Sequence, residues 1–152
     1  MSQSSFTLLR EIGVLPLEEN EEIRFSIDAY RGFRYVSIRR YLQTDGFSGA
    51  TRDGITFTPE IARILGPMIM ALPEQSSMLK LGDIGKFAKR PGICVVAAIS
   101  SFRGKLGLNF YQTQEGTRAV KGIWLPFAKI KEIKAFFKKT IEALEEQPDI
   151  DF

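Results

Sequence analysis

The sequence predicts an α+β fold made of two tandem ββββα repeats. Three matches within the chain point to it. Ser26-Ile27-Asp28-Ala29-Tyr30-Arg31-Gly32 returns as Ala98-Ile99-Ser100-Ser101-Phe102-Arg103-Gly104, a shift of 104 − 32 = 72 residues. At that shift, without a gap, Leu9-Arg10-Glu11-Ile12-Gly13 falls on Leu81-Gly82-Asp83-Ile84-Gly85. Gly54-Ile55-Thr56-Phe57 falls on Gly122-Ile123-Trp124-Leu125 at a shift of 122 − 54 = 68, so the intervening loop is four residues shorter in the second copy. Spacing, turn residues and apolar phase repeat together, which places one repeat in residues 1–76 and the other in 77–152. A unit of half this length is near the lower limit for an independent core, so the two are expected to share one.

The elements follow in order. The first copy opens on Phe6-Thr7-Leu8-Leu9, then an acidic loop, Glu18-Glu19-Asn20-Glu21-Glu22. Ile23, Phe25, Ile27 and Ala29 alternate with Arg24, Ser26 and Asp28, the pattern of a half-buried strand. Arg31-Gly32 reads as a tight turn, Gly32 supplying the positive φ. The next strand, from Phe33 to Leu42, puts Val36 and Ile38 on one face with Arg34 and Arg40 at its ends. Tyr35, Ser37, Arg39 and Tyr41 take the other face. A glycine-rich loop, Asp45-Gly46-Phe47-Ser48-Gly49, then leads to short strands around Ala50–Arg52 and Gly54–Phe57. Thr58-Pro59-Glu60 is a helix start, with a capping hydroxyl, proline in the first turn and an acid at the positive dipole end. Ile61, Ile64, Leu65, Met68, Ile69 and Leu72 keep helical spacing, and Gly66-Pro67 predicts a kink or early stop. Pro73-Glu74-Gln75-Ser76-Ser77 is the linker.

The second copy repeats this plan. Val95, Ala97 and Ile99 fall in register with Ile23, Phe25 and Ile27. Leu106, Leu108 and Phe110 form the apolar face of the long strand; Lys105, Asn109, Tyr111 and Thr113 lie opposite. Pro126 is expected to open a longer helix with Ile130, Ile133, Phe137, Ile141 and Leu144 inside and Lys129, Lys131, Lys134 and Lys138 on a solvated side. The tail Asp149-Ile150-Asp151-Phe152 is expected to be loose.

Composition narrows the function classes. At 44% hydrophobic and 26% charged residues the chain reads as an ordinary soluble domain. A net charge of +3 permits an anionic partner without requiring one. One cysteine, Cys94, rules out an internal disulfide and suits a reducing compartment. No secretory pattern opens the chain and no apolar run suffices for a bilayer, so a cytoplasmic protein without a membrane partner is expected. The absence of histidine removes the commonest general base and a common metal ligand. Cys94 lies in the apolar run Ile93-Cys94-Val95-Val96, Glu142, Glu145 and Glu146 are solvated charge, and no Gly-Lys-Ser/Thr follows Gly46 and Gly49. No catalytic residue, metal site or cofactor is read, and the chain is not expected to be an enzyme.

Basic and aromatic side chains on the non-core faces suggest nucleic acid, since cations neutralise phosphates and rings stack on unpaired bases. Tyr30, Arg31, Arg39, Tyr41 and Arg52 form one candidate patch. Phe102, Arg103, Lys105, Tyr111, Arg118, Lys121 and Trp124 form the other, and Lys89-Arg90 are further candidates for phosphate contact. Strand edges also carry lysine and arginine simply to prevent edge-to-edge aggregation. The competing reading is a protein-interaction scaffold, favoured by the acidic loop Glu18 to Glu22 and by Leu42, Asp53 and Gln114.

The ordered motifs narrow this further. The first copy gives Tyr30-Arg31-Gly32, Ile38-Arg39-Arg40-Tyr41 and Arg52-Asp53-Gly54-Ile55-Thr56-Phe57-Thr58-Pro59-Glu60. The second gives Phe102-Arg103-Gly104-Lys105, Leu108-Asn109-Phe110-Tyr111 and Lys121-Gly122-Ile123-Trp124-Leu125-Pro126. Across residues 6–72 and 78–144 this order resembles the single-stranded-DNA-binding domain of the positive cofactor 4 transcriptional coactivator family. The family's unit is an aromatic-basic-Gly hairpin, a long strand ending Ile-Arg-x-Tyr, a basic third strand, then Gly-Ile-Ser-Leu-Asn-Pro-Glu opening a helix. Its members usually dimerise through their helices. The resemblance therefore implies an intramolecular pseudo-dimer with curved antiparallel sheets, helices packed between them, and a ridge that grips an unpaired strand. It also implies largely sequence-independent binding of single-stranded DNA, with RNA left open, and a role in transcription modulation or replication and repair. A protein partner from that machinery and further association of pseudo-dimers are compatible. Leu42, Asp53 and Gln114 depart from the family pattern, and Tyr111 stands where the first copy has Arg39, so the half-sites are not expected to be equivalent.

Overall fold

A computed structural model describes residues 6–115 and 117–146, with the backbone alone for residues 118–121. Strands β1 (Thr7–Pro16), β2 (Glu21–Tyr30), β3 (Phe33–Thr44) and β4 (Phe47–Phe57) form one antiparallel sheet in sequence order, and helix α1 (Pro59–Met70) follows. Strands β5 (Gly82–Arg90), β6 (Ile93–Phe102), β7 (Lys105–Gln114) and β8 (Thr117–Pro126) form a second such sheet, followed by α2 (Ile130–Glu146). The tail Asp149–Phe152 lies outside the described residues. Among those residues, no helix is long and apolar enough to cross a membrane.

The repeat is written into the pairing register. Phe25 faces Ile38 and Ile27 faces Val36, while 72 residues later Ala97 faces Phe110 and Ile99 faces Leu108. The first strand of each sheet slips at the same place, between Glu11 and Gly13 and between Asp83 and Gly85. Both long strands also slip at equivalent points, Arg39/Tyr41 and Tyr111/Thr113. The four missing residues are two rungs of a ladder: Gln43↔Ser48 and Thr44↔Phe47 have no counterpart beyond Gln114↔Thr117.

Four expectations change here. The glycine-rich loop contracts to the turn Asp45-Gly46, and β4 runs unbroken from Phe47 to Phe57. Its bulge sets Thr51, Arg52 and Asp53 opposite Arg40 alone. Thr51 Oγ1 donates to the Arg40 carbonyl (3.0 Å), Arg40 Nη1 donates to Asp53 Oδ2 (2.8 Å), and the same guanidinium also pairs with Glu21. Of the kink or early stop expected at Gly66-Pro67, the stop does not occur: helix α1 runs through Pro67 to Met70. Ile141 of α2 occupies the space over Gly66, where a Cβ would come within 2.4 Å of it, and this packing holds the last turn despite the lost hydrogen bond. Pro126 ends β8 by pairing with Gly107, so α2 begins only after a 3-10 turn at Phe127–Lys129. Lys134, expected on the solvated side, instead donates to the Leu72 carbonyl and pairs with Glu74 at 3.4 Å.

One apolar cluster takes residues from both repeats, including Phe25, Ile38, Phe57 and Leu65 from the first and Phe110, Leu125, Ile133 and Phe137 from the second. Helices α1 and α2 pack on each other; α2 also lies over β1 and β2, and α1 reaches β5. Phe137 touches Phe25 at 5.9 Å and Phe110 at 6.1 Å, one ring in each sheet. Phe136 sits 5.1 Å from Phe25 and fills the space above Gly13, where a Cβ would lie 2.4 Å from its ring. The buried Arg34 donates to the Leu144 carbonyl (3.5 Å) near the α2 C-terminus, where the helix dipole favours a cation.

Three stability changes follow. Phe137→Ala should cost about 3–5 kcal/mol, as for a buried aromatic truncation, and Gly13→Ala about 1–3 kcal/mol through overpacking against a rigid ring. Arg10→Ala, which breaks an exposed pair with Glu146, should cost about 0.5 kcal/mol or less. Urea unfolding of the three variants checks the ranking.

Candidate nucleic-acid interface

The two β-hairpin tips are built alike. Arg31 (φ 53°) and Gly32 (φ 84°) join β2 to β3; Arg103 (φ 53°) and Gly104 (φ 78°) join β6 to β7. Positive φ at both central residues is the primed two-residue turn that suits strand twist, and asparagine-glycine fits it better than arginine-glycine. An arginine in left-handed backbone costs about 1–2 kcal/mol, and this chain carries that cost twice. Each guanidinium leans on the preceding ring: Arg31 Cζ lies 5.3 Å from the Tyr30 centroid and Arg103 Cζ 5.1 Å from that of Phe102. Both arginines are exposed. Across the turn from Tyr30 stands Phe33, 66% exposed; across from Phe102, itself 51% exposed, stands the exposed Lys105.

Strand alternation puts Arg24, Ser26, Asp28, Ser37, Arg39, Tyr41 and Thr56 on the first sheet's face away from the core. With Phe6, Leu8 and Glu11 they line a groove of about 220 Å³. Arg39 Nη1 donates to the Thr51 carbonyl (3.1 Å), and its guanidinium lies flat over Gly54, where a Cβ would come within 2.7 Å. Tyr41 is covered: Arg24 Cζ lies 4.0 Å above its ring, and Arg24 Nε donates to Glu22 Oε2 at 2.6 Å. That hydrogen bond, outweighing the desolvation of partial burial, raises the Arg24 pKa above its ordinary value. At the tip end, Phe6 stacks on Tyr30 (4.7 Å) and meets Tyr35 edge-on (5.8 Å). Lys89 reaches this face from the other sheet, its ammonium donating to Thr56 Oγ1 at 2.8 Å and lying 6.0 Å from the Tyr35 ring.

The second sheet presents a different face. At the positions of Arg24 and Ser26 it has Val96 and Ala98, both buried. Trp124 replaces Thr56, and Gly107 replaces Tyr35. The large and small residues have exchanged strands, since a Cβ on Gly107 would lie 2.3 Å from the indole. Trp124 is half-buried and tilted 5.5 Å from Phe102, and its indole N–H has no partner among the described residues.

The twelve residues read from the sequence therefore fall into groups. Tyr30 with Arg31, and Phe102 with Arg103, Lys105 and Trp124, gather at the two tips. Arg39 and Tyr41 line the first sheet's groove, while Arg52 is exposed on the β4 bulge outside it. Tyr111 is half-buried in β7; Arg118 and Lys121 belong to β8, with side chains outside the described residues. Phe6, Arg24 and Phe33 were not selected from the sequence. Arg24 was signalled by its strand phase alone, and Phe33 was masked because its repeat partner is Lys105.

Because the turn disfavours arginine, Arg31→Asn with Arg103→Asn should raise the unfolding free energy by about 1 kcal/mol per site, read from the urea midpoint at unchanged slope. Among known proteins, neither a family model nor a curated sequence matches this chain.

Proposed function

We propose that the chain is an intramolecular pseudo-dimer that binds single-stranded nucleic acid, DNA in the first instance, through its two hairpin tips and the faces beside them. The observation that carries this reading is the doubled tip: an arginine held in left-handed backbone, beside an aromatic ring, at equivalent positions of both repeats. Strain of this kind persists where a side chain is needed at one place, and at each tip it sets a cation beside an aromatic ring. Phe33 and Phe102 supply exposed rings, and Lys89 adds a cation to the first sheet's outer face. Among the described residues no helix stands ready for a major groove, so recognition runs mainly through phosphate and base stacking and is largely independent of sequence. A role in transcription modulation or in replication and repair fits such binding. No residue is assigned a catalytic step.

A protein-interaction scaffold is the second reading, and one observation favours it. The first sheet's cations are partly neutralised from within, Arg24 by Glu22 and Arg40 by Glu21 and Asp53.

Fluorescence anisotropy with a ~20-nucleotide single strand and the matching duplex, at several salt concentrations, separates the two. The wild type should prefer the single strand, with log K falling steeply against log salt. Arg31→Glu with Arg103→Glu should weaken binding at least tenfold while unfolding as cooperatively as the wild type. Weak, salt-insensitive binding that the double variant leaves unchanged would sink the nucleic-acid reading and leave the scaffold.

A further inference from the structure

The first sheet's groove contains a feature that a general phosphate channel does not explain. Asp28 stands in it, and a carboxylate there repels any phosphate that passes. Ser26 Oγ donates to Asp28 Oδ1 at 2.9 Å, which fixes the carboxylate's orientation. Ser37, only 6% exposed, faces Ser26 across the strand pair and forms the floor. Further along, the Arg39 guanidinium is anchored by the Thr51 carbonyl and presents a donor surface. Phe6 and Leu8, both exposed, make an apolar rim above the pair. The groove therefore has the Asp28 carboxylate at one end, the Arg39 guanidinium at the other and an apolar lip, with Glu11 and Arg24 completing its charged lining around about 220 Å³ of space.

The geometry points to a subsite for one unpaired base, with guanine as the preferred occupant; this rests on the nucleic-acid reading above and deepens it. Guanine alone among the four bases places two adjacent N–H donors, N1–H and the exocyclic amine, on one edge, which a carboxylate accepts in parallel. Its O6 and N7 acceptors lie on another edge and suit a guanidinium. Adenine and cytosine each offer one exocyclic amine, and thymine offers a single ring N–H. The rim residues cover the face of the base. The repeat supplies an internal control: the second sheet has Ala98, Ser100, Asn109 and Tyr111 where the first has Ser26, Asp28, Ser37 and Arg39, so it has neither carboxylate nor guanidinium there. Only the first half reads a base.

The test uses the full chain and thymidine strands of about ten nucleotides, near the footprint of such domains. One central thymidine is replaced by guanosine, inosine (which lacks the 2-amine) or adenosine, and anisotropy gives each Kd. The guanosine strand should bind on the order of tenfold tighter than plain oligothymidine, and inosine should lose most of that gain. In Asp28→Asn, with folding checked by thermal unfolding, the ratio of oligothymidine Kd to guanosine-strand Kd should fall to about one. Should that variant not fold, the inosine comparison on the wild type decides alone. Equal wild-type affinity for all the strands overturns the base subsite and leaves the tip-binding reading intact. Binding to none of them overturns both.

Discussion

The Phe137 ring is the point at which the two halves of this molecule depend on each other. It is 1% exposed and touches one phenylalanine from each sheet, Phe25 and Phe110, from a helix that belongs to the second repeat. A lone ββββα unit of this size would leave one sheet face and one helix stripe in water, a loss that its small core could not offset. Here α2 crosses to β1 and β2, and α1 reaches β5, so neither sheet is sealed by its own helix alone. The glycines at the contact follow from it: Gly13 gives way to Phe136 and Gly66 to Ile141. The placement of both hairpin tips rests on this shared core.

Core and surface have diverged differently between the repeats. The central inward rungs keep apolar character, Phe25↔Ile38 and Ile27↔Val36 matching Ala97↔Phe110 and Ile99↔Leu108, because a slip of one residue would turn a whole strand inside out. Outward positions carry no such restraint. Arg24 has become Val96, Asp28 has become Ser100, and Tyr35 with Thr56 has become Gly107 with Trp124. The last exchange conserves bulk across a strand pair while moving it from one strand to its neighbour. The result is one architecture with two chemically unlike outer faces, joined where Lys89 of the second repeat meets Thr56 of the first.

Much of the fold was legible because alternation and turn chemistry are local. Ile23, Phe25 and Ile27 announced a core face, and Thr58-Pro59 announced a helix start, which the Thr58 hydroxyl confirms by accepting from the Ile61 amide at 3.2 Å. Where the reading failed, a distant partner decided. The β4 strand looked interrupted because its bulge is held by Arg40, which the sequence places far upstream of Asp53. At Gly66-Pro67, where a kink or an early stop was expected, the helix does not stop, and Ile141, which fills the space over Gly66, lies in the other repeat. The site was less legible than the fold for the same reason. Tyr41 was read as an open stacking surface, but the ring lies under Arg24, a neighbour supplied by the adjacent strand. Phe6 entered the aromatic group only once β1 had brought it over Tyr30.

The longer β3–β4 hairpin has a consequence for how such a chain can change length. The four extra residues enter as two complete rungs, two residues on each strand, and the strand period is also two. Insertion in this quantum preserves which side chains face inward all the way back to the core. A single residue added to one arm would have to be absorbed as a bulge or would invert the strand's faces. The hairpin ends are thus adjustable arms that can be extended in steps of four, changing the reach of the outer face while the shared interior stays as it is.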